Sequence, residues 1–132
     1  MKGVSVVVCT NERKIKVEMK VEVTRGDVVW VNFPQGNGSV QSGIRPAIVV
    51  SNNKNNRYSP NITVVPITSK SKKYIPTHVF IGTQGGLSRT STVLCEETMP
   101  VDKKRITGYI GHIFGNTMHQ IEAAIKIQMA LS

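Results

Sequence analysis

The hydrophobic positions of this chain follow one period over most of its length and switch to another near the end. In Asp27-Val-Val-Trp-Val-Asn-Phe33 they alternate, with Val29, Val31 and Phe33 on one side and Val28, Trp30 and Asn32 on the other, which predicts a strand. Pro34 ends it. The polar stretch from Gln35 to Gly43 holds three glycines and no hydrophobic period, so it reads as a mobile surface loop. Pro46 to Ser51 reads as a buried strand, Asn61 to Ile67 as a third, Thr77 to Ile81 as a fourth, and Ser91 to Leu94 as a fifth that continues toward Val101.

The connections are polar or glycine-rich. Asn52 to Pro60 predicts only a turn, Ser69 to Pro76 a basic loop, and Gly82 to Thr90 another turn. Asp102 can cap one helical turn reaching Ile106, before a last strand from Gly108 to Ile113. After that the period becomes helical: Met118, Ile121, Ile125 and Met129 fall on one face, and Thr117-x-x-Gln120 has the form of a capping box. A helix from Thr117 to Leu131 is expected, its stripe packing on the core or on a dimer partner. Short strands followed by one helix predict a mainly β fold, a partly closed antiparallel β-barrel with a C-terminal helix.

With 132 residues, 39% of them hydrophobic, the chain suffices for one core and one site. No apolar run is long enough to span a membrane, and Lys2 is not followed by a signal-peptide pattern, so a cytoplasmic protein without membrane contact is expected. Cys9 and Cys95 form neither a disulfide framework nor a zinc motif and read as buried thiols in a reducing compartment.

Charge changes the picture further. Seventeen Lys and Arg against eight Asp and Glu give a net +9, a field that concentrates polyanions. Its distribution is uneven, because no acidic residue occurs between Asp27 and Glu96, where Arg45, Lys54, Arg57, Lys70, Lys72, Lys73 and Arg89 all fall. Nucleic acid is the expected partner.

Three segments in order resemble the MazF/PemK (Kid) family of bacterial toxin endoribonucleases: Arg25-Gly-Asp-Val-Val-Trp-Val-Asn-Phe33, Gly43-Ile-Arg-Pro-Ala-Ile-Val-Val50 and Val64-Val-Pro-Ile-Thr-Ser69. Ile75-Pro-Thr-His-Val79, Leu94-Cys-Glu-Glu-Thr98 and Val101-Asp-Lys-Lys-Arg105 follow at that family's spacing. The resemblance runs from about Met19 to the end. It implies an SH3-like barrel of the PemK/CcdB type over residues 19–132. It also implies a homodimer that cleaves single-stranded RNA at short motifs without metal or cofactor, and is silenced by a cognate antitoxin. Residues 1–18 lie outside it, and read either as an added hairpin or as a disordered extension.

Cutting RNA without a metal requires the 2′-hydroxyl to attack the adjacent phosphorus, with charge to stabilise the phosphorane and groups to move two protons. Arg45 suits the charge, because a guanidinium binds two phosphate oxygens through a planar fork. Thr68, at the end of the third strand, can hold the scissile phosphate in line through its hydroxyl. The resemblance makes these two the catalytic pair; Ser69, beside Thr68, and His78, because an imidazole can move protons near neutral pH, are candidates for support. An acidic residue often stands five positions before the catalytic Arg in that family; here the position is Val40, so an obvious base is missing. For RNA binding, Asn37, Ser39 and Gln41 can address base edges, Lys70, Lys72 and Lys73 can neutralise phosphates, and Tyr74 can stack on a base. Arg25-Gly-Asp27 reads as a structural turn, and His112 and His119 as core or surface residues. Two other readings use the same barrel, either to bind a protein as gyrase-poisoning toxins do, or only to hold RNA. The Arg-Pro and Pro-Ile-Thr combination, absent from the gyrase poisons, favours cleavage.

Overall fold

Why one end of a small barrel opens into a cleft follows from how its central strands pair. The computed structural model describes residues 3–9 and 14–20 through their backbone, and residues 22–35, 42–70 and 73–131 in full. Strands β1 (Gly3–Cys9) and β2 (Lys14–Lys20) pair antiparallel as a two-stranded sheet, Gly3 opposite Lys20 and Cys9 opposite Lys14. Seven further strands form the main sheet: β3 (Asp27–Phe33), β4 (Gly43–Val49), β5 (Asn61–Thr68), β6 (His78–Gly82), β7 (Ser91–Leu94), β8 (Met99–Asp102) and β9 (Ile106–His112). Their order is β6-β7-β5-β4-β3-β9, with β8 also on β5. Two helices, α1 (Asn53–Tyr58) and α2 (Gly115–Gln128), complete the described chain.

The centre, β3-β4-β5, is apolar on both faces. Alternate residues divide between two clusters: Val28, Ile48, Val65 and Ile67 join Val79, Ile81 and Val93 of β6 and β7 and Ile121 and Ala124 of α2. Val29, Val31, Phe33, Ala47, Val49, Ile62 and Val64 pack with Val101 and Ile106. Burial on both sides explains why Ala47–Val49 of β4 and Ile62–Ile67 of β5 read as nearly continuous apolar runs, while β3, exposed at Trp30 and Asn32, keeps an alternation. Ile121 is fully buried, so truncating it to Ala removes about 2–5 kcal/mol.

Three sequence expectations are corrected. Asn52 to Pro60 is not a plain turn: Asn52 Oδ1 accepts from Asn55 N at 2.8 Å and caps α1, and buried Asn56 donates its amide to Ser51 O at 2.8 Å. Side-chain capping and one inward amide make a helix of a segment whose composition argues against one. The fifth strand does not run unbroken toward Val101. A 3-10 turn at Cys95–Glu97, fixed by Cys95 N donating to Thr77 O (2.9 Å) and by Thr98 Oγ1 donating to Cys95 O (2.7 Å), divides it into β7 and β8. Both halves lie along β5, β8 beside Asn61–Val64 and β7 beside Ile67–Thr68. Finally, α2 starts at Gly115 with Phe114 at the N-cap position, and the Thr117 hydroxyl donates to Gln84 Oε1 at 2.7 Å instead of closing a capping box. Its stripe is buried at Ile121, partly buried at Met118 and Ile125, and exposed at Met129.

The turn at Asp102 forms as expected, with Asp102 Oδ1 accepting from Lys104 N at 2.8 Å. Cys95 is buried, and that burial, with Glu96 beside it, pushes its thiol up to about 12. Side chains of residues 3–9, Cys9 among them, are outside the described part.

Candidate active site

The β4-β5 ladder runs only from Val49↔Val64 to Ala47↔Pro66. Prolines stand at the end of the paired stretch on both strands, Pro66 as the last pair's member and Pro46 as the next residue, and a proline has no N–H to give a ladder. Beyond that point β4 keeps β3 as its neighbour, and β5 turns to β7 with Thr68 opposite Thr92. A cleft of about 910 Å³ opens where the two strands part, lined by residues that include Arg45, Pro46, Ile67 and Thr68.

Arg45, two residues before Ala47, and Thr68, two residues after Pro66, follow the last pair on the two strands, and both line the cleft. The structure therefore brings together the two residues that the sequence reading paired, although 22 other residues separate them in the chain. Arg45 is exposed and makes no ion pair among the described residues. Thr68 is 8% exposed, and its Oγ1 accepts from Lys70 N at 3.1 Å, which fixes the oxygen and leaves the O–H able to donate into the cleft. Ser69 and Lys70 follow on the same wall.

The remaining lining was not singled out by sequence reasoning as a site. Trp30 of β3 and Tyr109 of β9 are exposed aromatics on it, and Ser88 and Arg89 come from the turn between β6 and β7. Among the described residues, every charged member of the lining is a cation, Arg45, Lys70 and Arg89, with no carboxylate and no histidine beside them. A signal for Trp30 existed, since it occupies the side of β3 that also carries Val28, yet its neighbour there is the polar Asn32. For Arg89 the only signal was its membership of the acid-free block.

Other predicted residues lie elsewhere. His78 is not in the cleft lining; its Nε2 contacts Glu96 Oε2 at 2.6 Å, and the side chain is 8% exposed, which is a structural pairing. Lys73 and Tyr74 are exposed and outside the lining. Asn37, Ser39, Gln41 and Lys72, with the Val40 position, lie outside the described residues. His112 is held by Asp27 at 2.7 Å, and His119 is on the exposed side of α2 beside Glu122. Among the described residues, no helix is long and apolar enough to cross a membrane.

Residues 24–129 match the family model described as PemK-like, MazF-like toxin of type II toxin-antitoxin system. Over 111 residues the chain is 38% identical to Endoribonuclease EndoA of Bacillus subtilis (strain 168), spanning 83% of this chain and 96% of that protein. It resembles the structure of an endoribonuclease in complex with its cognate antitoxin from a mycobacterial species, with TM-score 0.69 and 27% identity over 83% of this chain and 97% of that one. A crystal structure of MazF from Deinococcus radiodurans has the same fold, with TM-score 0.74 at 23% identity, covering 84% and 99% of the two chains.

Proposed function

The chain belongs to the PemK-like, MazF-like toxin family of type II toxin-antitoxin systems, and we propose that it is an endoribonuclease that cleaves single-stranded RNA without a metal, with Arg45 and Thr68 as its catalytic pair. The observation that supports this reading is the parting of β4 and β5, which leaves an unpaired guanidinium on one strand and a backbone-fixed hydroxyl on the other, both in a cleft whose charged lining residues are all cations. The scissile phosphate lies between them. Arg45 binds two of its oxygens, a task whose value rises as negative charge builds on the phosphorane. Thr68 donates its O–H to a phosphate oxygen and keeps the 2′-hydroxyl, phosphorus and leaving oxygen in line. In the step itself the 2′-hydroxyl gives its proton to water as its oxygen bonds to phosphorus, the bond to the 5′-oxygen breaks, and the leaving oxygen takes a proton from water, so that one proton is lost and one gained. The products are a 2′,3′-cyclic phosphate and a free 5′-hydroxyl.

Ser69 and Lys70 extend the phosphate contacts along one wall, and Lys72, Lys73 and Tyr74, which follow them in the sequence, with Asn37, Ser39 and Gln41, which precede Arg45, bind the RNA on either side of the scissile bond. The partners follow from the same reading: single-stranded messenger RNA as substrate, a second copy in a homodimer, and a cognate antitoxin. The antitoxin's acidic segment finds its charge complement at this cleft. Cleavage takes place in the cytoplasm and arrests translation. Residues 19–132 carry the activity, and residues 1–18 are an addition to it.

Incubating the protein with a long single-stranded RNA in EDTA tests the proposal. Fragments with cyclic-phosphate and 5′-hydroxyl ends are expected; intact RNA, or cutting that appears only with added magnesium, overturns it.

A further inference from the structure

Arg89 is a cation in the cleft that the chemistry above leaves without a task. It is exposed, lines the cleft with no carboxylate among its neighbours there, and makes no ion pair among the described residues. We propose that Arg89 binds the backbone phosphate next to the scissile one, so that it positions the RNA strand for the Arg45–Thr68 pair; this rests on the RNA-cleaving reading.

The segment carrying Arg89 is built to hold it still. Ser91 Oγ donates to Arg89 O at 2.7 Å, tying the residue to the first position of β7. Two glycines before it, Gly85 (φ 72°) and Gly86 (φ 85°), adopt left-handed backbone and press against β9. A Cβ on Gly86 would come within 2.6 Å of Ile110 O, and one on Gly111 within 2.2 Å of Gly85 O, so only glycine permits this approach on both sides. Gln84, at the start of the same turn, accepts the Thr117 hydroxyl of α2. A solvated surface arginine requires none of this anchoring.

Its place along the wall also fits. Thr92 pairs with Thr68, so Arg89 stands three residues from the position opposite the catalytic hydroxyl, no more than about 10 Å along the chain, and lines the same cleft. A long guanidinium side chain from that position can meet a phosphate beside the scissile one. Trp30 and Tyr109 line the same cleft from β3 and β9. Gly108, opposite Trp30, has its Cβ position 3.3 Å from the indole Cδ1, so the ring lies against the strand and its exposed part is available for a base to stack on. Arg89 and Arg45 then hold the phosphates of a strand whose base rests on the aromatic wall.

A role in positioning separates from one in chemistry by kinetics and salt dependence. In EDTA, Arg89→Ala is expected to raise KM about tenfold, the loss of one charge-assisted contact, and to leave kcat close to that of the parent. On a Thr68→Ala background, with cutting slowed about a hundredfold and anisotropy read before turnover, a fluorescent single-stranded RNA should show the slope of log K against log salt falling by about 0.7 when Arg89 becomes Ala. Arg89→Lys should restore that slope. An unchanged KM and slope, or a fall in kcat as large as that of Arg45→Ala, overturns the proposal, and so does failure of Arg89→Lys to restore the slope, because the loss would then come from a disturbed turn. If the parent protein cuts no RNA, the cleavage reading fails by itself, while the binding slopes still report whether Arg89 meets a phosphate.

Discussion

Arg25 and Arg45 stand at the two ends of β4 and use the same guanidinium in contrasting ways. Arg25 donates through Nη1 to Val50 O and through Nη2 to Glu122 Oε1 at 2.7 Å, joining the entry to β3, the end of β4 and helix α2. Its neighbours are engaged as well: Asp27 accepts Thr24 N at 2.7 Å and pairs with His112, and Glu122 also meets His119 at 3.5 Å. Arg45, five residues before Val50, has no such partner among the described residues. An arginine whose donors are taken by the protein holds the fold together; one left with open donors in a cleft without carboxylates is available to an anion that arrives from outside. The contrast predicts that changes at one end alter catalysis with little effect on stability, and changes at the other do the reverse.

The largest effect is expected at Arg45. Arg45→Ala should lower kcat about a thousandfold, on the scale of losing a transition-state donor, with the unfolding midpoint unchanged because the side chain is exposed and unpaired. Arg45→Lys keeps the charge and loses the fork, so it should recover only part of the rate; full recovery would show that a point charge suffices. Next comes Thr68→Ala, expected to cost about a hundredfold in kcat. It also strips Lys70 N of its acceptor, so a modest loss of stability accompanies it, whereas Thr68→Ser keeps the hydroxyl and most of the rate.

How legible this was from sequence depends on what each feature rests on. Strands with one clear period, such as Asp27–Phe33, and the helix carrying Ile121 were readable, because burial imposes the period directly. The helix at Asn53–Tyr58 was not, since it depends on one capping side chain and on the amide of Asn56 finding Ser51. At the site, Arg45 and Thr68 were named through motif resemblance, and what unites them, the ladder stopping between two prolines, requires the register of β4 on β5. Arg89, Trp30 and Tyr109 were passed over because little local marks them beyond the polar neighbour of Trp30 and the acid-free block around Arg89; they reach the cleft through pairings of β3 with β9 and of β5 with β7, and through glycine packing at positions 85, 86 and 111. His78 was singled out by residue type, and the structure gives it to Glu96.

At the paired end, Asp27 carries more weight than its neighbours, being 7% exposed and serving both the Thr24 N–H and His112. Asp27→Ala should cost about 1–2 kcal/mol by removing the charged acceptor shared by the Thr24 N–H and His112, read as a lowered denaturant midpoint, while RNA cleavage by the remaining folded protein is unchanged. A loss of kcat at full stability would break the comparison between the two ends.

The smallest effect, and the sharpest test of pairing itself, concerns Glu122. The hydrogen bond from Arg25 is the main reason its carboxyl is held below the usual glutamate range, against some opposing desolvation. A carboxyl depressed in the folded state adds stability that is fully present above the unfolded value and is lost as pH falls through the folded one. Glu122→Gln should therefore cost up to about 1 kcal/mol at pH 7, a limit set by the partial exposure of both side chains. The difference between variant and parent should shrink once pH drops below about 4.3 and disappear in stronger acid, and added salt should reduce it at neutral pH. Arg45→Gln, measured in parallel, should show no stability difference at any pH in this window, since no carboxylate in the cleft lining depends on it. If both variants gave the same pH-dependent loss, Arg45 would be paired in solution and the distinction between a structural and a catalytic arginine would collapse.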